Sequence, residues 1–361
     1  MTITYVNGKF LAQRLTGVQR AAREWLSAVD RLLCAEPSAN ERWVVLHPPQ
    51  ARAPALRAIE TRSVGRPGMP LHWWEQWTLP RAARAGLLLN LAGSAPWFGG
   101  RQIATLHDAA VWDQPQAYTW VFRLWYRALF RRLGRGAVRL LTVSEFSRSR
   151  LAVRLGLPPQ RISVLRNGAN HLAALREDAD LLDRLGLSGR PFLLAVASAN
   201  PSKNLARLVA AYAQAGLSGR ADLVLVGGTN GQVFASAALP AVKGVRSLGP
   251  LDDAGLKALY GGAVALVQPS LYEGFGLPPL EAMACGCAVA AARAAALPEV
   301  CGEAATYFDP LSEQDMALAM RRLVQDEGLR EGLRRAGRAR AATFSWDAAA
   351  RQLREEVRCA A

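Results

Sequence analysis

Short apolar runs alternate with amphipathic segments along almost the whole chain. The runs Ile3–Val6, Trp43–His47, Leu87–Leu91, Ile103–Leu106, Leu140–Val143 and Ile162–Leu165 are predicted strands, bounded by polar or turn-forming residues. A second set follows at Phe192–Ala197, Leu223–Val226, Val245–Leu248 and Ala263–Gln268. Between the runs, Val18–Leu33, Tyr118–Leu133, Leu205–Ala213 and Ala254–Tyr260 repeat their apolar residues with the helical period. Uninterrupted apolar strands alternating with helices are the pattern of parallel sheets covered on both faces. Two such blocks occur, split near residues 169–190, where Glu177-Asp178-Ala179-Asp180 is polar and helical in character. The pattern predicts an α/β protein of two doubly wound domains, 1–170 and 171–343, facing each other across a cleft. Ligands are then expected at the carboxyl ends of the strands. A last helix, Phe344–Arg358 within 344–361, packs on its own domain or crosses back to the first.

Composition narrows the class. At ~150 residues per domain, 361 residues give two domains. With 51% hydrophobic and 20% charged residues the chain supports two packed cores, which argues against disorder. No stretch approaches the ~18 apolar residues of a membrane-spanning helix. The start, Met1 to Gly8, lacks the basic head and apolar run of a secretory signal and reads as the first strand of a cytoplasmic protein. The five cysteines (Cys34, Cys285, Cys287, Cys301, Cys359) are odd in number and irregularly spaced, which suits a reducing compartment rather than a disulfide framework. Four histidines without H-x-x-x-H, and no C-x-x-C, argue against structural zinc. Net charge is +15, carried by arginine except at Lys9, Lys203, Lys243 and Lys257. Codon bias alone produces such an arginine-rich chain, yet the charge attracts phosphorylated substrates, acidic membrane surfaces or nucleic acid.

The chemistry concentrates in Gln268–Gly286. A buried strand runs into a glycine-rich turn, and a helix starts at Pro278 or Pro279, where proline suits the first turn. Gly274 and Gly276 let backbone N–H groups approach a ligand closely. The helix N-terminus adds unpaired donors and about half a positive charge, an anion site suited to phosphate. Glu281, about one turn into the helix, is placed to accept hydrogen bonds from two vicinal hydroxyls such as those of a ribose. Glu273 stands eight residues earlier and faces whatever follows the phosphate. A surface turn with two ordinary glutamates is the plainer alternative, and the complete string weighs against it.

That string, S-x-Y-E-G-F-G-L-P-x-x-E-A-M-A-C-G over Ser270–Gly286, closely resembles the retaining GT-B glycosyltransferases of family 4. The resemblance spans nearly the whole chain. Thr16-Gly17-Val18-Gln19-Arg20 resembles the family's first glycine loop, and His107-Asp108 stands where a strand should end. Val143–Ser147, Val164–Gly168, Ser202–Leu205 and Leu248-Gly249 follow in order. The resemblance implies two Rossmann-like domains facing a central cleft and hexose transfer, with retention, from a nucleoside diphosphate sugar. It also implies roles. Lys203 and the N–H of Gly17 hold the diphosphate, and Leu248 and Gly249 meet the base through backbone groups. Glu281 holds the ribose. Glu273 holds the donor sugar and phosphate with the N–H groups of Gly274, Phe275, Gly276 and Leu277. His107 lies near the donor sugar. A front-face reaction, in which the departing phosphate oxygen accepts the proton, needs no protein nucleophile.

One departure stands out. The family often has a second cation just before the lysine, where this chain has Ser202, and Ala197 is not basic either. The stretch Ser198–Asn204 resembles instead a branch rich in O-antigen and exopolysaccharide mannosyl- and rhamnosyltransferases. Helix dipoles, Arg20 or Arg166 are then expected to supply the missing charge. GDP-mannose is the favoured donor, followed by a dTDP- or GDP-rhamnose, then a UDP-hexose. The expected acceptor is a saccharide, free or on a polyprenyl diphosphate carrier, used in surface polysaccharide synthesis at the inner face of the cytoplasmic membrane.

Other readings compete. The D-x-D of Asp178–Asp180 resembles a diphosphate–metal motif but does not follow a core strand, so no metal or other cofactor is expected. No G-x-G-x-x-G follows a strand and no G-x-S-x-G is present, which disfavours dinucleotide oxidoreductases and serine hydrolases. Cys285 and Cys287 read as small packing residues. Residues 123–150 carry eight arginines (123, 127, 131, 132, 135, 139, 148, 150) against Glu145, with Phe122, Trp125, Tyr126 and Leu129 on another side of the helix. Such a helix either packs its aromatics into the core, the favoured reading, or lies on an anionic membrane. The cluster Leu71–Trp77 either lines an acceptor cleft or packs in the core. A nucleotide-sugar epimerase and a basic nucleic-acid-binding protein remain as alternatives, the second without a recognisable reading motif.

Overall fold

The computed structural model describes residues 2–172, 175–198, 200–227 and 242–360. Thirteen strands among them form two wholly parallel sheets. The first holds β1 (Thr2–Asn7), β2 (Glu41–His47), β3 (Glu60–Ser63), β4 (Leu87–Asn90), β5 (Gln102–Thr105), β6 (Arg139–Thr142) and β7 (Ile162–Val164), in the order β3-β2-β1-β4-β5-β6-β7. The second holds β8 (Phe192–Val196), β9 (Asp222–Val226), β10 (Val245–Ser247), β11 (Ala265–Gln268), β12 (Ala288–Ala292) and β13 (Thr306–Phe308), in the order β10-β9-β8-β11-β12-β13. The longer helices are α1 (Gly17–Ala35), α2 (Trp120–Gly136), α3 (Glu145–Leu155), α4 (Leu205–Ala215), α5 (Asp253–Gly262), α6 (Leu277–Ala284), α7 (Glu313–Gln325), α8 (Glu327–Ala342) and α9 (Trp346–Ala360).

The chain divides into two units. One comprises Met1–Ala109, Leu124–Gly168 and Ser345–Ala361, the other Ala110–Arg123 and Ala169–Phe344. The main break falls at Gly168/Ala169. The segment Ala110–Arg123 groups with the second unit. Within that unit the Tyr272 hydroxyl donates to the Asp113 carboxylate at 3.2 Å. Glu177–Asp180 departs from the expected helix. It is irregular rather than helical and precedes a single turn, Leu181–Arg184. Asp178 is paired with the Arg184 guanidinium at 3.1 and 2.5 Å, which lowers its pKa.

In the first unit, α9 packs on α1. The buried Trp25 and Trp346 rings meet edge to face at 6.3 Å, and Arg354 donates to Glu41 and Glu36, each at 3.0 Å. Gly168 follows from this packing, because a Cβ there would lie 2.3 Å from the Trp346 backbone nitrogen. At the carboxyl ends of β1 and β4, where the strand order reverses, a buried network joins Asn7, Lys9, Glu75, Asn90 and Ser94. Lys9 Nζ donates to Glu75 Oε2 at 2.7 Å, and Asn7 and Ser94 donate to Oε1. The core of the second unit is built from β8, β9, β11 and β12 with the inner faces of α4 and α7, including Leu208, Tyr212, Met316 and Met320.

Candidate functional site

The second sheet reverses its order between β8 and β11, so the crevice beyond their carboxyl ends is the natural ligand position. The segment after β8 and the turn after β11 supply the site. After β8, Asn200 accepts from the Ser202 N–H at 2.9 Å and closes a tight turn, Pro201–Lys203. Asn204 follows in the left-handed region at φ 59°, which asparagine tolerates better than most side chains. Its amide donates to the Pro269 and Pro310 carbonyls at 3.1 and 2.8 Å, and the Leu271 N–H donates to the Ser202 carbonyl at 2.8 Å. These bonds tie the lysine turn to the turn that carries Glu273. Ala199, within the stretch noted above, lies outside the described residues.

Lys203 Nζ consequently lies 2.8 Å from both oxygens of Glu273. Glu273 Oε1 also accepts from Ser270 Oγ at 2.8 Å and from Gln268 Nε2 at 2.9 Å. Lys203 and Glu273 were expected to hold neighbouring parts of one donor, and the structure brings them into direct contact. Gln268 and Ser270 were missed as site residues, although both stand in the quoted string. Gln268 ends a central strand and is 1% exposed, an unusual place for a polar side chain.

Gly276, at φ 106°, caps α6. A Cβ there would lie 2.8 Å from Leu297 Cδ2, so that methyl would have to shift, and the positive φ itself favours glycine. Leu277 is the first helical residue, with Pro278 next. Phe275 is buried edge to face against Phe344 at 5.8 Å, which anchors the turn. Further along α6, Glu281 is 5% exposed; Tyr260 donates to its Oε2 at 3.0 Å, and His171 Nε2 lies 3.1 Å from its Oε1. Both partners were missed. Tyr260 carries no signal beyond its helical period, and His171 lies just past the last strand end of the first block.

Leu248 and Gly249 follow β10. The Leu248 N–H donates to the Leu225 carbonyl at 2.9 Å, and the Gly249 carbonyl accepts from the Gly227 N–H at 2.9 Å. The remaining expected residues belong to the first unit. Gly17 is the exposed first residue of α1, preceded by Thr16, whose hydroxyl bonds Gln19. His107 follows β5. Its ring stacks on Trp25 at 5.7 Å, and its Nε2 lies 2.9 Å from the Leu91 carbonyl. A carbonyl only accepts, so Nε2 carries the proton. Burial pushes the imidazole down to about 4, against the opposing effect of that bond. Arg20, in the first turn of α1, and the exposed Arg166 also lie in the first unit.

The two notable aromatic segments are mixed. On α2, Leu129, Phe130 and Leu133 are buried, and Trp125 meets His72 and Trp97 at 4.9 and 5.8 Å. Trp120, Val121 and Leu124 on the same helix are exposed. In Leu71–Trp77, Trp74 is wholly buried and donates to the Val64 carbonyl at 2.7 Å. Trp73 and Trp77 are exposed and stacked at 6.3 Å. Among the described residues no helix is long and apolar enough to cross a membrane.

Comparison with known proteins agrees with this architecture. Residues 42–171 match the model described as Glycosyltransferase Family 4, and residues 180–340 match Glycosyl transferases group 1. The O-antigen chain mannosyltransferase B of Escherichia coli is 31% identical over 258 residues, 68% of this chain and 67% of that protein. Sucrose-phosphate synthase from Thermosynechococcus elongatus superposes with a TM-score of 0.74 at 23% identity, covering 99% of this chain and 98% of that one. Anabaena HepE in complex with UDP-glucose superposes at 0.72 with 18% identity, covering 99% and 100%. Two parallel α/β sheets, the glycine-rich turn after β11 and these matches lead to one conclusion: the chain has the GT-B fold and belongs to the group 1, family 4 glycosyltransferases.

Proposed function

We propose that this glycosyltransferase moves mannose from GDP-mannose, with retention, to a saccharide or polyprenyl-diphosphate-linked saccharide in surface polysaccharide synthesis. The observation that carries the reading is the meeting of Lys203 and Glu273 at the reversal point of the second sheet, beside the N-terminus of α6. A diphosphate there receives an ammonium charge and oriented N–H donors from Gly274–Leu277. Glu273 meets the sugar, Glu281 the ribose, and the backbone around Leu248 and Gly249 the base. Lysine and helix terminus together supply the positive charge that other transferases take from a divalent ion, so the reaction is expected to proceed without metal or other cofactor. Preorganised donors of this kind are worth a few kcal/mol each to a developing anion. The acceptor hydroxyl attacks from the face the diphosphate leaves, and the departing phosphate oxygen takes its proton.

The mannosyl assignment is supported by the name of the Escherichia coli relative, and UDP-glucose bound to HepE keeps a uridine donor as the second reading. Thermal shift with GDP, UDP, dTDP and ADP, with and without chelator, tests the donor site. A ligand at 100 times its dissociation constant stabilises the fold by about 2.7 kcal/mol. Stabilisation by GDP alone, unchanged by chelator, is the expected result. A shift only with UDP overturns the mannose donor, chelator sensitivity overturns the metal-free reaction, and no shift at all removes the donor site.

A further inference from the structure

The Glu281 carboxylate is held by two other elements. Tyr260 reaches Oε2 from α5, and His171 reaches Oε1 from the segment after Ala169. The Tyr260 ring is wholly buried and His171 nearly so, its side chain 3% exposed. Burial and the adjacent carboxylate keep the Tyr260 phenol well above its ordinary range, so it remains a donor at every physiological pH.

Two donors approaching different oxygens fix the plane of a carboxylate that a single contact would leave free to turn. Glutamate loses substantial rotamer entropy when it is ordered, and here the contacts of Tyr260 and His171 meet that cost on folding. An ionised carboxylate has about four lone-pair directions, and Tyr260 and His171 each approach one of them. A fixed carboxylate plane matches a rigid pair of neighbouring hydroxyls, because each oxygen then faces one hydroxyl.

We infer that Tyr260 and His171 are positioning residues that set Glu281 to receive both hydroxyls of a ribose, making the site select ribonucleotide over 2′-deoxyribonucleotide donors. The inference rests on the proposed donor site. It carries a consequence for the donor class. A thymidine diphosphate sugar lacks the 2′-hydroxyl and forfeits one charge-assisted bond, so dTDP-rhamnose is disfavoured and a guanosine or uridine donor is selected.

The test is calorimetric binding of GDP, 2′-deoxy-GDP, UDP and 2′-deoxy-UDP to the full chain and to Tyr260→Phe, His171→Ala and His171→Gln. The wild type is expected to favour the ribonucleotide of the pair it binds by roughly tenfold or more, the size of one hydrogen bond to a charged group. Tyr260→Phe and His171→Ala are expected to lose most of that ratio while still binding the deoxy form. His171→Gln, which keeps an N–H donor, is expected to retain it. Far-ultraviolet circular dichroism identifies any variant that does not fold, and the remaining ones then decide. Equal weakening of both sugars in the variants marks a merely structural role and overturns the inference, as does an unchanged ratio. Equal binding of both sugars by the wild type overturns it through Glu281 itself. Binding of none of the four by the wild type rejects the donor site first, and this inference with it.

Discussion

Glu273 and Glu281 lie eight residues apart but sit in different environments, so their replacements should separate kinetically. Glu273 faces a lysine, a serine and a glutamine around one carboxylate. Glu273→Gln keeps the shape and removes the charge that orients Lys203. Transfer is expected to fall by about 10²-fold, within the range for losing one preorganised group at a developing charge, with a smaller change in nucleotide affinity. Glu281→Ala is expected to do the reverse, raising the donor KM by roughly tenfold through the loss of bonds to a charged acceptor. Steady-state kinetics on both variants checks this, and unchanged values in both would remove the assigned roles. His107 gives a pH signature. Its folded pKa, about 4, lies below the ordinary 6.5, so between these values the unfolded chain binds a proton that the folded chain refuses. The contribution is complete above pH 6.5 and is lost as the pH falls toward 4, amounting to at most roughly 3 kcal/mol. Melting temperature should therefore drop less between pH 7 and pH 5 in His107→Asn than in the wild type, and parallel slopes would count against this. At neutral pH the imidazole is uncharged and serves as a hydrogen-bonding group rather than a cation.

At the scale of elements, the turn between β11 and α6 depends on Gly276. Alanine there meets both a left-handed φ of 106° and the Leu297 methyl at 2.8 Å. Gly276→Ala is expected to cost about 1–3 kcal/mol of stability and to reduce transfer further by tilting the N–H groups of the turn. Chemical denaturation alongside the transfer assay reads both, and a variant with wild-type stability and rate would show that the turn tolerates the side chain. Ten strands were legible as apolar runs because parallel strands buried on both faces need no polar alternation. Three strands were not. Ala288–Ala292 is built almost wholly of alanine, a poor strand former, and is recognisable only by its pairing with β11 on one side and β13 on the other. Glu60–Ser63 is a polar edge strand without an apolar signal, and Thr306–Phe308 is too short to show a period. The turn, Lys203 and Glu281 were legible because glycine, proline and charge mark them locally. Contacts of long sequence separation, such as Lys203 with Glu273 and His171 with Glu281, are set by strand order, which no local pattern encodes.

For the whole molecule, the net charge of +15 is what remains after the acids have been counted, so the many arginine–carboxylate pairs do not reduce it further. Each basic residue near an anionic bilayer contributes about 1 kcal/mol, decaying over a Debye length of about 8 Å at physiological salt. Charge alone would make such binding diffuse. In the first unit, exposed aromatic side chains provide a second attraction: Trp73 and Trp77 are 56% and 51% exposed as a stacked pair, and Phe98 is 76% exposed. Indole rings favour the headgroup region, where the apolar face and the N–H are both accommodated. Peripheral association is therefore expected with vesicles containing phosphatidylglycerol and not with phosphatidylcholine alone. Raising sodium chloride from about 0.1 M to 0.5 M should release most of the protein, because the shorter screening length removes the electrostatic share. The double replacement Trp73→Ala with Trp77→Ala should weaken binding at low salt while leaving its salt dependence in place, since the charge is untouched. Cosedimentation measures all three. Binding that ignores salt would assign the surface to apolar contacts alone. Equal retention on a single-stranded RNA of similar charge would show that the basic surface does not distinguish a membrane from other polyanions, and the acceptor would then have to be sought among soluble saccharides.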